Sequence, residues 1–136
     1  MEKETSHFWL GYFKNEEDFY HFIEEDETYY TEEEDEDQYV SKFAETQNIH
    51  WFDDDFLEYG FEDESLGIYE KFTDYSYADQ WLPAVEQKIN ELGLETPVNA
   101  IILAKKYAIP NPVSVDDEEY ALYYIGEIEY TISNPL

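Results

Sequence analysis

The chain has 136 residues, of which 35 are Asp or Glu and seven are Lys, with no Arg, so its formal net charge is −28. A field of this sign repels nucleic acid and anionic membranes and attracts basic partners. The chain has no Cys, which excludes disulfides and thiolate chemistry. Aromatic residues make up 19% of the chain, which predicts a packed fold because disordered acidic chains are poor in aromatics.

The sequence also bears on where the protein acts. It has no basic region followed by an apolar run, so it does not resemble a signal peptide. No apolar stretch approaches the roughly 20 residues that span a bilayer. We therefore expect a cytoplasmic protein that forms a single domain over residues 1–136. Because a surface of this charge repels a second copy, we expect a monomer.

The first third of the chain combines one strand with two helices. Residues 6–13 are apolar on both faces of an extended segment, which predicts a central strand. Asn15 is a suitable N-cap for a helix with an apolar stripe ending at Ile23. Thr31 begins a second capping pair, which predicts a helix with its buried stripe ending at Ala44.

The middle of the chain is predicted to hold two short strands, over residues 49–52 and 66–72. Between them, residues 53–64 form an acidic and aromatic connection. The apolar spacing of residues 76–92, followed by Gly93, predicts a third helix.

The last third is predicted to be mostly strand. Pro83 must lie in or near the first turn of the third helix, because a proline further along a helix kinks it. Residues 98–104 are strongly apolar, and residues 120–132 have the pattern of a long closing strand. The side chains expected on one face of that closing strand are Leu122, Tyr124, Gly126, Ile128 and Tyr130.

This order of elements predicts the α+β class. Strands adjacent in sequence favour antiparallel pairing, so we expect a mostly antiparallel sheet with about three helices packed on one face. Trp9, Trp51 and Trp81 each lie on a predicted strand or helix face, which favours core packing over the alternative role of interface anchors.

The acidic residues do not form a recognisable metal or catalytic motif. Asp53, Asp55 and Glu64 match positions of a calcium loop, but Leu57 and Glu58 occupy positions that need an oxygen ligand and a Gly. The three His residues lack zinc-site spacing. Among 35 acids some pair satisfies any spacing rule, and no nucleophile elbow or phosphate loop is present. We predict a protein that is not an enzyme, with no cofactor and no catalytic or metal-binding residue.

Two acidic segments stand out as candidate partner-binding sites. Ten of the residues 24–37 are acidic, and they flank a Tyr pair; residues 53–64 repeat the combination. Interfaces favour Tyr as an anchor, and acids around it select a basic partner, although a solvated charged face is the alternative interpretation. The candidate partner-binding residues are Glu24, Glu25, Asp26, Tyr29, Tyr30, Glu33, Glu34, Asp37, Asp53, Asp54, Asp55 and Tyr59.

Five pieces of the chain, in order, resemble the immunity protein 22 family of bacterial polymorphic toxin systems. They are residues 7–19 (HFWLGYFKNEEDF), 49–56 (IHWFDDDF), 75–81 (YSYADQW), 98–104 (VNAIILA) and 124–130 (YIGEIEY). The resemblance implies a cytoplasmic protein that binds a cognate toxin domain and blocks it. It implies no catalytic residues.

The resemblance agrees with the charge of the chain. Nuclease toxins bind phosphates and are often basic, so an acidic inhibitor would occupy the same surface. Our hypothesis is a binding protein that neutralises a basic nuclease domain through its acidic, Tyr-rich surface. One alternative is an acidic nucleic-acid mimic or regulator that binds a basic host protein. Another is a metal-buffering or enzymatic role, which a calcium titration would test.

Overall fold

The fold is organised around a five-stranded antiparallel sheet. The computed structural model describes residues 2–24, 39–51, 57–63, 65–75, 77–94 and 98–132. In chain order the elements are β1 (Glu2–Phe13), α1 (Glu16–Ile23), α2 (Lys42–Thr46), β2 (Leu57–Phe61), α3 (Ile68–Phe72), α4 (Ala78–Leu92), β3 (Ala100–Lys105), a 3₁₀ turn (Lys106–Ala108), β4 (Val115–Asp116) and β5 (Tyr120–Ile132). The strand order is β2-β3-β1-β5-β4, so β1 is central, as its apolar pattern predicts.

The sheet is apolar on both faces, and helices cover both. Trp9 and Phe13 of β1 point to the face covered by α1 and α2, which we call the front face. Phe8 and Leu10 point to the opposite back face, where they pack with α3 and α4. The predicted α+β class and antiparallel sheet are confirmed. The helices differ from the prediction in lying on two faces rather than one, because β1 and β3 must bury both of their faces.

Two of the three predicted core tryptophans are buried. Trp9 lies in the front core and Trp81 in the back core, and neither is exposed to solvent. For Trp51 the prediction was wrong, because 51% of this residue is exposed. Trp51 was predicted to lie on the apolar face of a strand, but the described part of that segment, residues 49–51, is not a strand.

The capping residues identified in the sequence set the ends of two helices. Asn15 Oδ1 accepts a hydrogen bond from the Asp18 N–H at 2.8 Å, which caps α1 as predicted. Gly93 adopts the left-handed conformation, with φ of 64°, and ends α4 as predicted. Pro83 is the sixth residue of α4, and the helix continues through it.

The middle of the chain departs most from the prediction. Residues 66–72 were predicted as a strand, but Gly67 is the N-cap of the short helix α3. The edge of β3 is instead paired by β2, which lies within the predicted connection 53–64. The helix predicted from Thr31 has a described part that begins after Ser41, whose Oγ caps the N–H of Ala44; residues 31–38 lie outside the described residues.

A bulge in β5 reverses the faces of its second half. Trp9 pairs with Tyr124 while Phe8 pairs with Gly126, so Ile125 is an extra residue. Gly126 has a φ of 118°, a conformation that residues other than Gly rarely adopt. The prediction of one common face for β5 was therefore wrong: side chains before the bulge at Tyr124 contact the front core, and those after it, such as Ile128, contact the back core.

Candidate functional site

Two of the predicted partner-binding residues are described. Glu24 is exposed at the C-terminus of α1, where its backbone N–H donates to the Tyr20 carbonyl at 2.9 Å. Tyr59 is half-buried on β2 and packs against the front core. The predicted residues that lie outside the described part of the chain are Glu25, Asp26, Tyr29, Tyr30, Glu33, Glu34, Asp37, Asp53, Asp54 and Asp55.

The described residues that flank the two acidic segments lie side by side. Tyr39 follows the first segment, and its ring stacks on His50 with centroids 4.5 Å apart and planes 4° from parallel. The Val40 N–H donates to the His50 carbonyl at 2.8 Å. The residues that follow the first acidic segment are therefore held next to those that precede the second, of which Trp51 is the last that the structure describes.

Close to Glu24, tyrosines and carboxylates from three parts of the chain form a continuous patch. Glu16 and Tyr20 lie four residues apart on one side of α1, and Glu24, the C-cap of that helix, follows at the same spacing. The Tyr75 hydroxyl donates to Glu62 Oε2 at 3.2 Å, just beyond β2. We call these five residues the tyrosine–carboxylate surface.

The tyrosine pKa values show how these groups act on one another. Burial raises the pKa of Tyr20, and the charges of Glu16, Glu62 and Glu24 raise it further. Burial also raises the pKa of Tyr75 well above its usual value, and the charge and hydrogen bond of Glu62 add to that effect. The carboxylates of α1 and of the segment after β2 therefore act together on the Tyr20 hydroxyl, and Glu62 acts on the Tyr75 hydroxyl as well, which favours neutral, hydrogen-bonding phenols.

A glycine in β2 makes room for Tyr75. A Cβ added to Gly60 would overlap the Tyr75 hydroxyl, so a larger residue at this position would displace the ring. The Tyr20 ring lies beside Tyr59 with centroids 6.3 Å apart, and Tyr59 in turn contacts Phe19 at 6.1 Å. Tyr20 thus packs on rings of the front core, whereas Tyr75 packs on Phe72 of the back core. Both anchors are held by core rings, which limits the side-chain freedom lost on binding.

The position of Tyr75 leads to a pH-dependent prediction. Its folded-state pKa lies above the value of about 10 for an unfolded chain, so the unfolded chain loses this proton first as pH rises. The free energy of unfolding should therefore fall as pH rises above about 10. Denaturant unfolding between pH 8 and 11 should show a smaller fall for Tyr75→Phe than for the unmodified chain. An equal fall in Tyr75→Phe and in the exposed-site control Tyr107→Phe would contradict the assignment.

Within the described ranges, five of the seven lysines pair with carboxylates that do not belong to this surface. Among the residues that the structure describes, Glu16, Glu24 and Glu62 form no ion pair, which leaves their negative charge open to a basic group of a partner. Within the described residues, lysine pairs join Lys3 with Glu129, Lys14 with Glu119, Lys88 with Glu91, Lys105 with Glu4, and Lys106 with Glu127.

The part of the chain that the structure describes offers neither a metal cluster nor a membrane-spanning helix. Its His, Asp and Glu residues form no group of three or more that could hold a metal ion. No helix in this part is both long and apolar enough to cross a membrane.

Sequence reasoning missed most of the tyrosine–carboxylate surface. The spacing of Glu16, Tyr20 and Glu24 was visible as a helical pattern and would have identified that side of α1. Nothing local in the sequence indicated that Glu62 and Tyr75 join it, because their contact depends on how β2 and α3 pack.

The fold and this surface define an acidic α+β protein that exposes carboxylates around half-buried tyrosines. A family model described as Immunity protein 22 matches residues 7–131, so the chain belongs to that family. The resemblance seen in the sequence is thereby confirmed, and the family indicates a toxin-neutralising role. Comparison with curated proteins and with solved structures gave no match.

Proposed function

We propose that the chain neutralises a cognate bacterial toxin domain, a basic nuclease, by binding it through the tyrosine–carboxylate surface and the two acidic segments, residues 24–37 and 53–64. The observation that carries the proposal is that Glu16, Glu24 and Glu62 surround half-buried tyrosines and form no ion pair with any residue that the structure describes. The protein acts as a monomer in the cytoplasm and by binding rather than by catalysis. The family assignment supports a toxin as the partner.

The mechanism is electrostatic attraction followed by aromatic anchoring. A nuclease surface that holds phosphates carries Lys and Arg, and a −28 chain attracts such a surface from a distance. At contact, Tyr20 and Tyr75 supply rigid aromatic area and hydroxyl groups, while the glutamates accept hydrogen bonds from the cations. An inhibitor seated there would exclude the nucleic-acid substrate.

The remaining predicted residues extend this interface. Glu24 belongs to the surface itself, and residues 25–38 follow it directly in the chain. Tyr59 lies beneath Tyr20, where it supports the anchor rather than forming the outermost contact. The acids of residues 52–56 immediately precede β2, the strand that carries Tyr59.

Removing charge from the tyrosine–carboxylate surface should slow association. In the variant Glu16→Gln/Glu24→Gln, we expect the association rate constant to fall about tenfold at low salt, because the steering field is weakened at the point of contact. The difference should shrink as salt screens the charges. The measurement is surface plasmon resonance against the toxin domain encoded beside the gene of this chain.

The matched control removes the same charge elsewhere. Glu86 lies on the exposed side of α4 and Glu118 precedes β5, and both are exposed. The variant Glu86→Gln/Glu118→Gln should change the rate much less. Equal slowing by both variants would show that net charge rather than this surface controls association, and no slowing by either would place the interface elsewhere. Failure of the unmodified chain to bind would refute the proposed function.

A further inference from the structure

The outer edge of β5 is longer than the strand that covers it. The short strand β4 pairs only with Ala121 and Leu122, whereas β5 continues to Ile132. On its other side, β5 pairs with β1 along almost its whole length. The part of β5 after the bulge is therefore an edge strand over a length of roughly 20 Å.

The hydrogen bonds fix which backbone groups point outward from this edge. The Asn99 N–H donates to the Gly11 carbonyl, so odd-numbered residues of β1 turn their backbone groups toward β3. Even-numbered residues of β1, such as Ser6, consequently bond to β5, and Ser6 pairs with Ile128. The backbone groups that point away from β1 are then those of Glu127, Glu129 and Thr131.

Other bonds agree with this polarity and show where the edge is open. The Tyr124 N–H donates to Ser114 Oγ at 2.8 Å, away from β1, which is the alternation expected before the bulge. After the bulge, no backbone hydrogen bond within the described residues reaches the outward groups of Glu127, Glu129 or Thr131. Unpaired strand edges of this kind are templates for another strand.

We propose that this edge, residues 127–131, binds an extended segment of the toxin as an added β-strand, with basic side chains at the alternate positions that face Glu127 and Glu129. This inference rests on the proposed function and adds a second contact to it. Main-chain hydrogen bonds to Glu127, Glu129 and Thr131 would provide affinity, and the glutamate side chains would select the sequence.

The glutamates can each accept a second cation. Glu127 Oε2 lies 3.4 Å from Lys106 Nζ, and Glu129 Oε1 lies 3.6 Å from Lys3 Nζ. These pairs are solvent-exposed, and a carboxylate offers about four acceptor positions over its two oxygens. The second oxygen of each glutamate has no ion-pair partner within the described residues, so a basic side chain directly across the new strand pair can bind it.

The same charges argue against a second copy of the chain as the occupant. Antiparallel pairing of two β5 edges would bring Glu127 and Glu129 of one copy opposite the glutamates of the other. Like charges directly opposite each other destabilise a strand pair, and each copy also carries a net charge of −28. The acidic edge thus disfavours self-association but remains compatible with a basic strand.

Proline substitution at the edge tests the proposal without breaking the pairing with β1. The N–H of Glu129 points outward, so Glu129→Pro removes an edge donor while leaving the bonds between β1 and β5 intact. The control Glu129→Gln removes the same charge but keeps the N–H. We expect Glu129→Pro to raise the Kd for the toxin domain encoded beside this gene at least about tenfold more than Glu129→Gln does.

The outcomes separate this inference from the proposed function. In Glu129→Pro, amide exchange at Tyr130 must match that of the unmodified chain. If Glu129→Pro does not fold, the comparison of Thr131→Pro with Thr131→Val replaces it. Equal Kd values for the proline variant and its control would overturn strand addition while leaving toxin binding intact. If only Glu16→Gln/Glu24→Gln lost binding and Glu129→Pro kept it, strand addition would likewise be overturned while toxin binding remained intact. Dimerisation of the unmodified chain that Glu129→Pro abolishes would assign the edge to a second copy instead.

Discussion

Replacing Trp9 with Ala is expected to lower the free energy of unfolding by about 3–5 kcal/mol. Trp9 is fully buried in the front core, where its ring meets Phe43 edge-on at 5.1 Å and Tyr124 at 5.4 Å. Its indole N–H donates to the Val113 carbonyl at 3.1 Å, which ties the segment before β4 to the core. The substitution leaves a cavity that joins strand, helix and connecting segment, so little collapse can fill it.

The matched variant Trp9→Phe separates volume from hydrogen bonding. Phe keeps a ring against Phe43, and the Val113 carbonyl still accepts a hydrogen bond from Gln47 Nε2 at 3.1 Å. We therefore expect a loss of about 1–2 kcal/mol, well below that of the Ala variant. Equilibrium denaturant unfolding of both variants measures the difference. A loss below 1 kcal/mol for Trp9→Ala would show that the front core does not depend on this ring.

Replacing Asn99 with Ala is expected to cost about 2–4 kcal/mol. Asn99 is 4% exposed, and its side chain acts like a strand backbone at the end of β1. Its Nδ2 donates to the Phe13 carbonyl at 2.8 Å, and its Oδ1 accepts from the Phe13 N–H at 2.9 Å. The Ala variant leaves both backbone groups of Phe13 buried without these partners, and each loss carries a desolvation penalty.

The variant Asn99→Asp provides a pH-dependent control. At neutral pH the carboxylate can still accept from the Phe13 N–H, but it faces the Phe13 carbonyl without a proton to donate. Burial raises the pKa of such a carboxyl group, so acidification restores the donor in the folded state first. Relative to the unmodified chain, Asn99→Asp should regain stability as pH falls toward 5, whereas Asn99→Ala should not. Identical pH profiles for the two variants would contradict the assigned hydrogen bonds.

The site was partly accessible from the sequence. Composition and the Tyr-flanking acidic segments directed attention to the region around Glu24 and Tyr59, and the structure places tyrosines and carboxylates beside them. The partnership of Glu62 with Tyr75 was not accessible. It requires Gly60 to leave space for a ring fifteen positions later in the chain, and no periodic pattern encodes such a meeting.

What the sequence determined by itself is local. Apolar residues at consecutive positions of β1 required burial on both faces, and the whole of β5 was recognised from its pattern. Asn15 marked the start of a helix through its side chain, and Gly93 marked the end of another through its backbone freedom. Both effects act within a single turn, so the local sequence is enough to predict them. The net charge also follows from composition alone, and the proposal of a basic partner rests on it.

The tertiary structure decided which segments meet. Residues 57–61, rather than 66–72, pair with β3, because a strand is stabilised by a partner that is distant in sequence and not by its own pattern. The bulge at Gly126 reversed the faces of β5 in response to its register with β1. The same bulge turns the backbone of Glu129 to the open edge, a position that depends on pairing and is invisible in the sequence.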